Sequence, residues 1–169
     1  MSRLENLVGA FSLTVADRLV DETNTRGLSA SDHAALVTLL AHSGRPVSWL
    51  GEVLGLSSSG ATRLVAAGLV TRTAASDSRE RRLRLTASGR RRATTALRAR
   101  SETLASSIEV LTAAERDELE NLLGRLVSSL TRARQPALHT CRLCDRDACA
   151  SGGRACPLDH TVPVEDAHA

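Results

Sequence analysis

The chain has 169 residues, 42% of them apolar and only 1% aromatic, and carries a net charge of +3. That length suits one domain with extensions, and the lack of rings leaves Leu, Val and Ala to build the core, which favours helices packed on helices. It holds no signal-peptide core and no run of about eighteen apolar residues, so no membrane span is expected and the protein is read as cytoplasmic.

The charge is unevenly spread. All 22 basic residues are arginines. Ten of them lie between Arg72 and Arg100, against only Asp77 and Glu80. Such a segment attracts polyanions, although a solvated helix face has the same composition.

Leu4, Leu7, Val8, Phe11, Val15 and Leu19 recur at helical spacing, so 3–21 reads as an amphipathic helix. Ser29 and Asp32 form a capping box for a second helix, with Ala35, Leu36, Leu39 and Leu40 on one face and a stop at Gly44. After Pro46, Ser48 is expected to cap a short helix over 49–54, closed by Gly55. A fourth helix, capped by Ser57 or Ser58, runs to about Ala67 and stops at Gly68. Leu69 and Val70 enter a strand, 74–80 is a polar turn, and Arg82, Leu83, Arg84 and Leu85 alternate as a second strand. Thr86 starts a helix to about Glu109, and Thr112 with Glu115 opens another to about Arg134. Leu119, Leu122, Leu123, Leu126, Val127 and Leu130 give that last helix a coiled-coil-like rhythm. Gln135-Pro136 marks the tail, which lacks periodicity, holds Gly152, Gly153, Pro157 and Pro163, and is expected to bury little without a bound ion.

Two short helices, a tight turn, a further helix and an arginine-rich hairpin describe a winged helix-turn-helix. Small hydroxyl residues at the start of a recognition helix allow close approach to the major groove, and a longer side chain then reaches base edges. The candidate DNA contacts there are Ser58, Ser59, Thr62 and Arg63, with Ser57 as the cap. On the hairpin, Arg72, Arg79, Arg81 and Arg82 are candidates for phosphate or minor-groove contacts, with Arg82 and Arg84 at its base. Arg90, Arg91 and Arg92 read equally well as ordinary helix-surface charge.

These stretches resemble the MarR family of bacterial regulators. The resemblance is carried by Leu54-Gly-Leu-Ser57, Ala67-Gly-Leu-Val-Thr-Arg72, the wing pattern Asp77-x-Arg79, Leu83-Arg-Leu-Thr-Ala-Ser-Gly-Arg90 and Leu111-Thr-Ala-Ala-Glu-Arg-Asp-Glu-Leu119, and spans about residues 3–134. It implies a mainly α winged helix-turn-helix fold with a small β-hairpin wing and long dimerisation helices. It further implies a homodimer bound to a pseudo-palindromic operator on double-stranded DNA, usually as a repressor. On that basis 1–28 is the N-terminal dimerisation helix, 29–86 the DNA-binding lobe, 87–135 the C-terminal dimerisation helices and 136–169 a cysteine-rich tail. One departure stands out: about one helical turn fewer separates Ser57 from Gly68 than the family pattern places there. Four residues fewer shift the downstream chain by about 6 Å and turn it by about 40°. Gly60 weakens the same helix by about 1 kcal/mol relative to Ala.

The four cysteines are confined to the tail: Cys141, Cys144, Cys149 and Cys156, spaced C-x2-C-x4-C-x6-C. Four thiols in a short polar segment read as a ligand set. Zinc in a closed tetrahedral site is the first reading. An iron–sulfur cluster is the second, since Pro157 follows the last cysteine as in ferredoxin-type endings. Redox-active thiols are the third, with Arg142, Arg146 and Arg154 close enough in sequence to lower their pKa values. Four unrelated thiols on a disordered tail are the fourth. Similar cysteine-rich tails occur on some MarR relatives, which makes the tail look like a subfamily feature. His139 and His160 flank the set and could stand in for one cysteine, although they read better as solvated residues, while Asp145 and Asp159 read as outer partners of the ligands or as solvated.

His33, His42 and Trp49 are candidates to line an effector pocket, although Trp49 reads better as core and the histidines as surface or interhelical contacts. The scarcity of rings disfavours a stacking pocket for flat phenolic ligands. No nucleotide loop, no H-E-x-x-H and no nucleophile setting is present, and four cysteines would fill a zinc shell, so an enzyme is not expected. The reading is a dimeric DNA-binding regulator, a repressor, with a four-cysteine site that stabilises it or senses a metal, redox or small-molecule effector. The alternative is a protein–protein adaptor built on the winged helix with a zinc-stabilised tail.

Overall fold

The structure, a computed structural model, describes residues 2–24, 27–55, 58–74 and 81–161. In chain order the elements are α1 (Arg3–Asn24), α2 (Ala30–Ala41), β1 (Arg45–Pro46), α3 (Val47–Leu54), α4 (Ser58–Ala66), β2 (Val70–Ala74), β3 (Arg81–Leu85), α5 (Ala87–Ser107), α6 (Ala113–Ser129), α7 (Arg134–Thr140) and α8 (Arg146–Cys149), with single 3-10 turns at Ser151–Gly153 and Asp159–Thr161. None of these helices is long and apolar enough to cross a membrane.

Side-chain caps fix the helix starts. Ser29 and Asp32 form the anticipated reciprocal box on α2, and Thr112 and Glu115 form the one on α6. Thr86 caps α5 by accepting from the Gly89 amide. At α3 the expectation fails. The helix begins at Val47 with Pro46 in the cap position and no side-chain cap, so Ser48 lies inside its first turn. The cause is β1, a two-residue strand that pairs Arg45 with Leu83 and Pro46 with Arg82 and delivers the chain directly into α3. Two residues carry too little alternation to be read from sequence.

Three antiparallel strands lie in the order β1-β3-β2. Register pairs Val70 with Leu85, Arg72 with Leu83 and Ala74 with Arg81. Leu83 and Leu85 face the core while Arg81, Arg82 and Arg84 are exposed. The tip between β2 and β3, with Arg79 and the Asp77-x-Arg79 pattern, lies outside the described residues, as does the cap candidate Ser57.

α2 runs through the centre. Seven consecutive residues, His33 to Leu39, are buried, which overturns the single-face reading and the surface reading of His33. A helix buried all round must be covered on every side. α3, α4, α5 and β3 each pack on it, and the tail adds to the cover. Leu36, Leu39, Leu64, Leu83 and Val53 form the most buried layer. α4 closes with a Schellman motif: the Gly68 amide donates to Val65 O and the Leu69 amide to Leu64 O, with Gly68 at φ +67.

α6 stops at Ser129, five residues before the expected end, because the chain restarts as α7 at Arg134. Pro136 falls in the first turn of α7, where a missing amide costs nothing. The boundary drawn after residue 135 therefore falls inside a helix. The tail does bury residues: Ala137, Leu158 and Thr161 are buried, and Leu138 and Leu143 pack against the core.

Two apolar faces remain uncovered. On α1, Leu4, Leu7, Val8, Phe11 and Leu13 are exposed, Phe11 at 51%. On α6, Leu122, Leu123, Leu126 and Leu130 are exposed, Leu126 at 60%. Among the described residues, no element covers the exposed leucines of α6.

Candidate functional site

The first candidate surface is α4 with the base of the wing. Arg72 Nη2 donates to Thr62 Oγ1 at 2.9 Å, tying β2 to the recognition helix. Arg63 pairs with Asp32 at 3.3 Å, and its side chain stays 58% exposed. An exposed pair of this kind contributes roughly 0–1 kcal/mol and gives way readily to a phosphate. Strand alternation places Arg72 and Arg81 on the sheet face shared with Leu83, whereas Arg82 belongs to the opposite face with Arg84. The structure thus brings Thr62, Arg63 and Arg72 together, holds Arg81 on the same sheet face, and sets Arg82 apart. Ser58 and Ser59 open α4, and their side chains lie outside the described part of the structure. The short α4 keeps its buried face through Leu64 and Ala61, so the missing turn does not cost the helix its place in the core.

The second candidate is the cysteine cluster. All four sulfur-bearing residues line one cavity of about 150 Å³, with Thr38, His42, Arg134, Leu158 and Asp159 among its other walls. The thiols are free. Neighbouring thiols act on one another in the order Cys141, Cys144, Cys149, Cys156. Contact with Cys144 holds Cys141 below the usual thiol range, while the same contact, then burial, pushes Cys144 far up. Burial raises Cys149 and Cys156 as well. Among the described residues, no three His, Cys, Asp or Glu groups stand in a ready-made metal-holding arrangement. The sulfurs adjoin one another without being drawn onto a common centre.

The neighbouring arginines are mostly engaged elsewhere. Arg142 donates to His139 O at 2.8 Å, Arg146 meets His42 Nε2 at 3.3 Å, and Arg154 pairs with Glu120. Arg146 draws Cys141 down, whereas Cys144, Cys149 and Cys156 stay raised. A cation bound by thiolates would have to displace those three protons.

The residues flanking the cysteines are structural contacts, not merely solvated ones. His139 Nδ1 lies 2.8 Å from Val53 O. The ring nitrogens of His160 face Pro157 O and Thr131 O, both at 3.1 Å. Asp145 caps α8 through the Ala148 amide, and Asp159 accepts from the Cys156 amide. Polar tail residues gave no periodic signal that could have revealed these contacts.

Trp49 sits partly buried at the core edge, with His42 against it edge-on at 5.4 Å and Arg45 over its ring at 5.4 Å. His42 has its pKa lowered to about 4, first by burial and then by Arg146, Arg134 and Arg45. The unfolded chain therefore binds the extra proton first, and stability is lost as pH falls from about 6.5 toward 4. Partial exposure reduces the effect to about 1–2 kcal/mol. His42→Gln should flatten this part of the stability–pH curve, measured by urea unfolding at pH 7 and pH 4.5.

No family model and no curated protein matches the chain. Solved structures do. A MarR-family protein from Bacillus stearothermophilus is 25% identical, with a TM-score of 0.63 over 73% of this chain and 89% of that one. A MarR-family transcriptional regulator from Silicibacter pomeroyi is 24% identical, with a TM-score of 0.58 over 76% and 90%. The Mycobacterium tuberculosis MarR-family protein Rv2887, solved in complex with salicylic acid, is 23% identical, with a TM-score of 0.59 over 75% and 97%. With the sheet order, the helix order and the capped α5 already in place, these likenesses establish that the chain has a MarR-like winged helix-turn-helix fold.

Proposed function

We propose that the chain is a sequence-specific DNA-binding transcriptional regulator that works as a homodimer, represses, and carries a four-thiolate metal site in its tail. The observation that supports DNA binding best is the Thr62–Arg72 hydrogen bond, which joins the recognition helix to an arginine-bearing wing. α4 then addresses the major groove of a pseudo-palindromic operator, while Arg72 and Arg81 meet phosphates and Arg63 exchanges Asp32 for the nucleic acid. The uncovered leucines of α1 and α6 support dimerisation, since apolar faces of this extent are usually covered by a partner. Zinc is the favoured ion, because four cysteines that line one cavity match the ligand number and type of a closed tetrahedral site; an iron–sulfur cluster is the alternative. With 1% aromatic residues, the effector is the metal or its redox state and not a flat aromatic acid.

Selection from a random duplex library followed by anisotropy titration tests the DNA reading. One sequence class should be enriched, and log K should fall linearly with log salt concentration. Arg81→Ala should reduce the slope by about one and weaken all sequences alike, whereas Thr62→Ala should change which sequences are preferred. Absence of enrichment together with a salt-independent affinity would turn the reading toward the adaptor.

A further inference from the structure

The tail touches two parts of the molecule, the lobe formed by α2 and α3 and the last long helix α6. One half grips the DNA-binding lobe. His139 Nδ1 meets the carbonyl of Val53, in the last turn of α3, and Thr38 Oγ1 of α2 donates to Arg142 O at 3.2 Å. Leu138 and Leu143 pack against the core beside them. The other half grips α6 and its end. Arg154 pairs with Glu120, Pro157 lies over Gly124, and His160 Nε2 meets Thr131 O. Between the halves are Gly152 and Gly153 at φ +70 and +73, a conformation that a side chain would disfavour and that lets the chain reverse.

The cysteines are divided by that reversal. Cys141, Cys144 and Cys149 precede it, on the half that grips the lobe. Cys156 comes after it, one residue before the proline on α6. An ion held by all four sulfurs therefore closes a loop whose two ends rest on different structural units. Cys156 acts on Cys149, Cys144 and Cys141 across the reversal. A metal–thiolate bond from each side would join the two halves far more firmly when the site fills.

We propose that the cysteine tail is a clip between α3 and α6, and that filling the four-thiolate site fixes the first helix of the helix-turn-helix against the last dimerisation helix. This rests on the metal reading above and adds its consequence: the ion controls the DNA-binding lobe by tying it to α6, with no contact of its own to DNA. Emptying the site loosens the tail's hold between α3 and α6, while α3 keeps its own seat in the core through Leu50, Val53 and Leu54.

Hydrogen–deuterium exchange on the full chain, reduced and kept from oxygen, tests the clip without knowledge of the operator. The probe is zinc ion alone, one equivalent, against a chelator-stripped sample. Zinc uptake is read separately by release to a chromogenic chelator. Zinc should slow exchange about tenfold in the amides of both α3 and α6, with core α2 amides little changed. His139→Ala combined with Leu143→Ser should still take up one zinc, and α6 should still respond, but the α3 response should disappear. Thr38→Ala, a milder cut that removes the neighbouring hydrogen bond from α2 to Arg142 O, should reduce the α3 response by at least threefold if the double variant does not fold. Zinc uptake with unchanged exchange in α3 and α6 would overturn the clip and leave the metal site standing. Failure of the reduced wild type to take up zinc, iron or a cluster would remove the metal reading, and the clip with it. An α3 response in the folded variants equal to wild type would overturn the lobe-side anchor and therefore the clip.

Discussion

Gly89→Ala is expected to destabilise the fold by about 3 kcal/mol, at the upper end for overpacking, and to lower the melting temperature by roughly 6–12 °C. A glycine in a helix interior normally gains up to about 1 kcal/mol when replaced by alanine, so the sign itself is diagnostic. Here a Cβ would stand 2.0 Å from Leu69 O and 3.0 Å from Leu69 C, both backbone atoms. That carbonyl cannot retreat easily. It accepts from the Thr86 amide at 3.0 Å, and the Leu69 amide is itself held by Leu64 O at 3.0 Å in the Schellman close of α4. Thr86 Oγ1 adds a bond of 2.8 Å to Gly68 O while capping α5. The glycine is thus where the start of α5 is pressed against the exit of the recognition helix. Thermal unfolding of Gly89→Ala beside Ser88→Ala is the check, with the serine variant expected within about 0.5 kcal/mol of wild type. A stability gain at position 89 would mean that the two segments are less tightly locked than the hydrogen bonds indicate.

The same region shows what sequence reasoning can and cannot reach. Capping boxes at Ser29 and Thr112 were legible because each needs only a hydroxyl and a carboxylate three residues apart, a local signal. The alternation of Arg82, Leu83, Arg84 and Leu85 was legible for the same reason. β1 was not, since a two-residue strand exists only because Leu83 and Arg82 of a distant strand pair with it. The full burial of α2 was also hidden. Its alanines and its threonine pattern as a one-sided helix until α7 and the segment after it add their cover. The tail was read as unable to bury much because its composition is polar and aperiodic. What anchors it is a handful of single contacts, Ala137 and Leu158 in the interior and His139 on Val53 O, none of which repeats.

The cysteine set was visible in the sequence as a spacing, but its division across the Gly152–Gly153 reversal was not. Spacing gives the ligand count; only the fold shows which structural unit each ligand rides on. The arginines were legible in part. Arg142, Arg146 and Arg154 sit between the cysteines in sequence and line the same cavity, and Arg146 draws Cys141 down, but their guanidinium groups are bonded to His139 O, His42 and Glu120. Sequence spacing placed them near the thiols; which partner each guanidinium takes depends on contacts with α2, α6 and α7.

Replacing Cys144 with Ser is expected to lower zinc affinity by more than about a hundredfold, since losing even an outer partner of a metal site costs about 10–100-fold. Cys144 is the choice because it lies between Cys141 and Cys149 in the cluster and both act on it. Its serine hydroxyl can keep a hydrogen bond in the apo chain but is a poor zinc ligand at neutral pH, so folding and metal binding are separated. Because burial and thiol contacts hold Cys144, Cys149 and Cys156 in the protonated form, zinc must displace protons. Affinity should therefore rise with pH, and loading should release several protons per ion into weak buffer. Competition titration with a chromogenic chelator at pH 6.5 and pH 8, on wild type and Cys144→Ser, reads both effects. A wild-type affinity that ignores pH, or a serine variant that binds zinc as tightly, would mean that the thiols are not the ligands. A brown protein containing iron and sulfide would instead assign the same four sulfurs to a cluster, with proton release on assembly expected for the same reason. In either case the ligand set is tested through Cys144, one of the two cysteines that have cysteine neighbours on both sides.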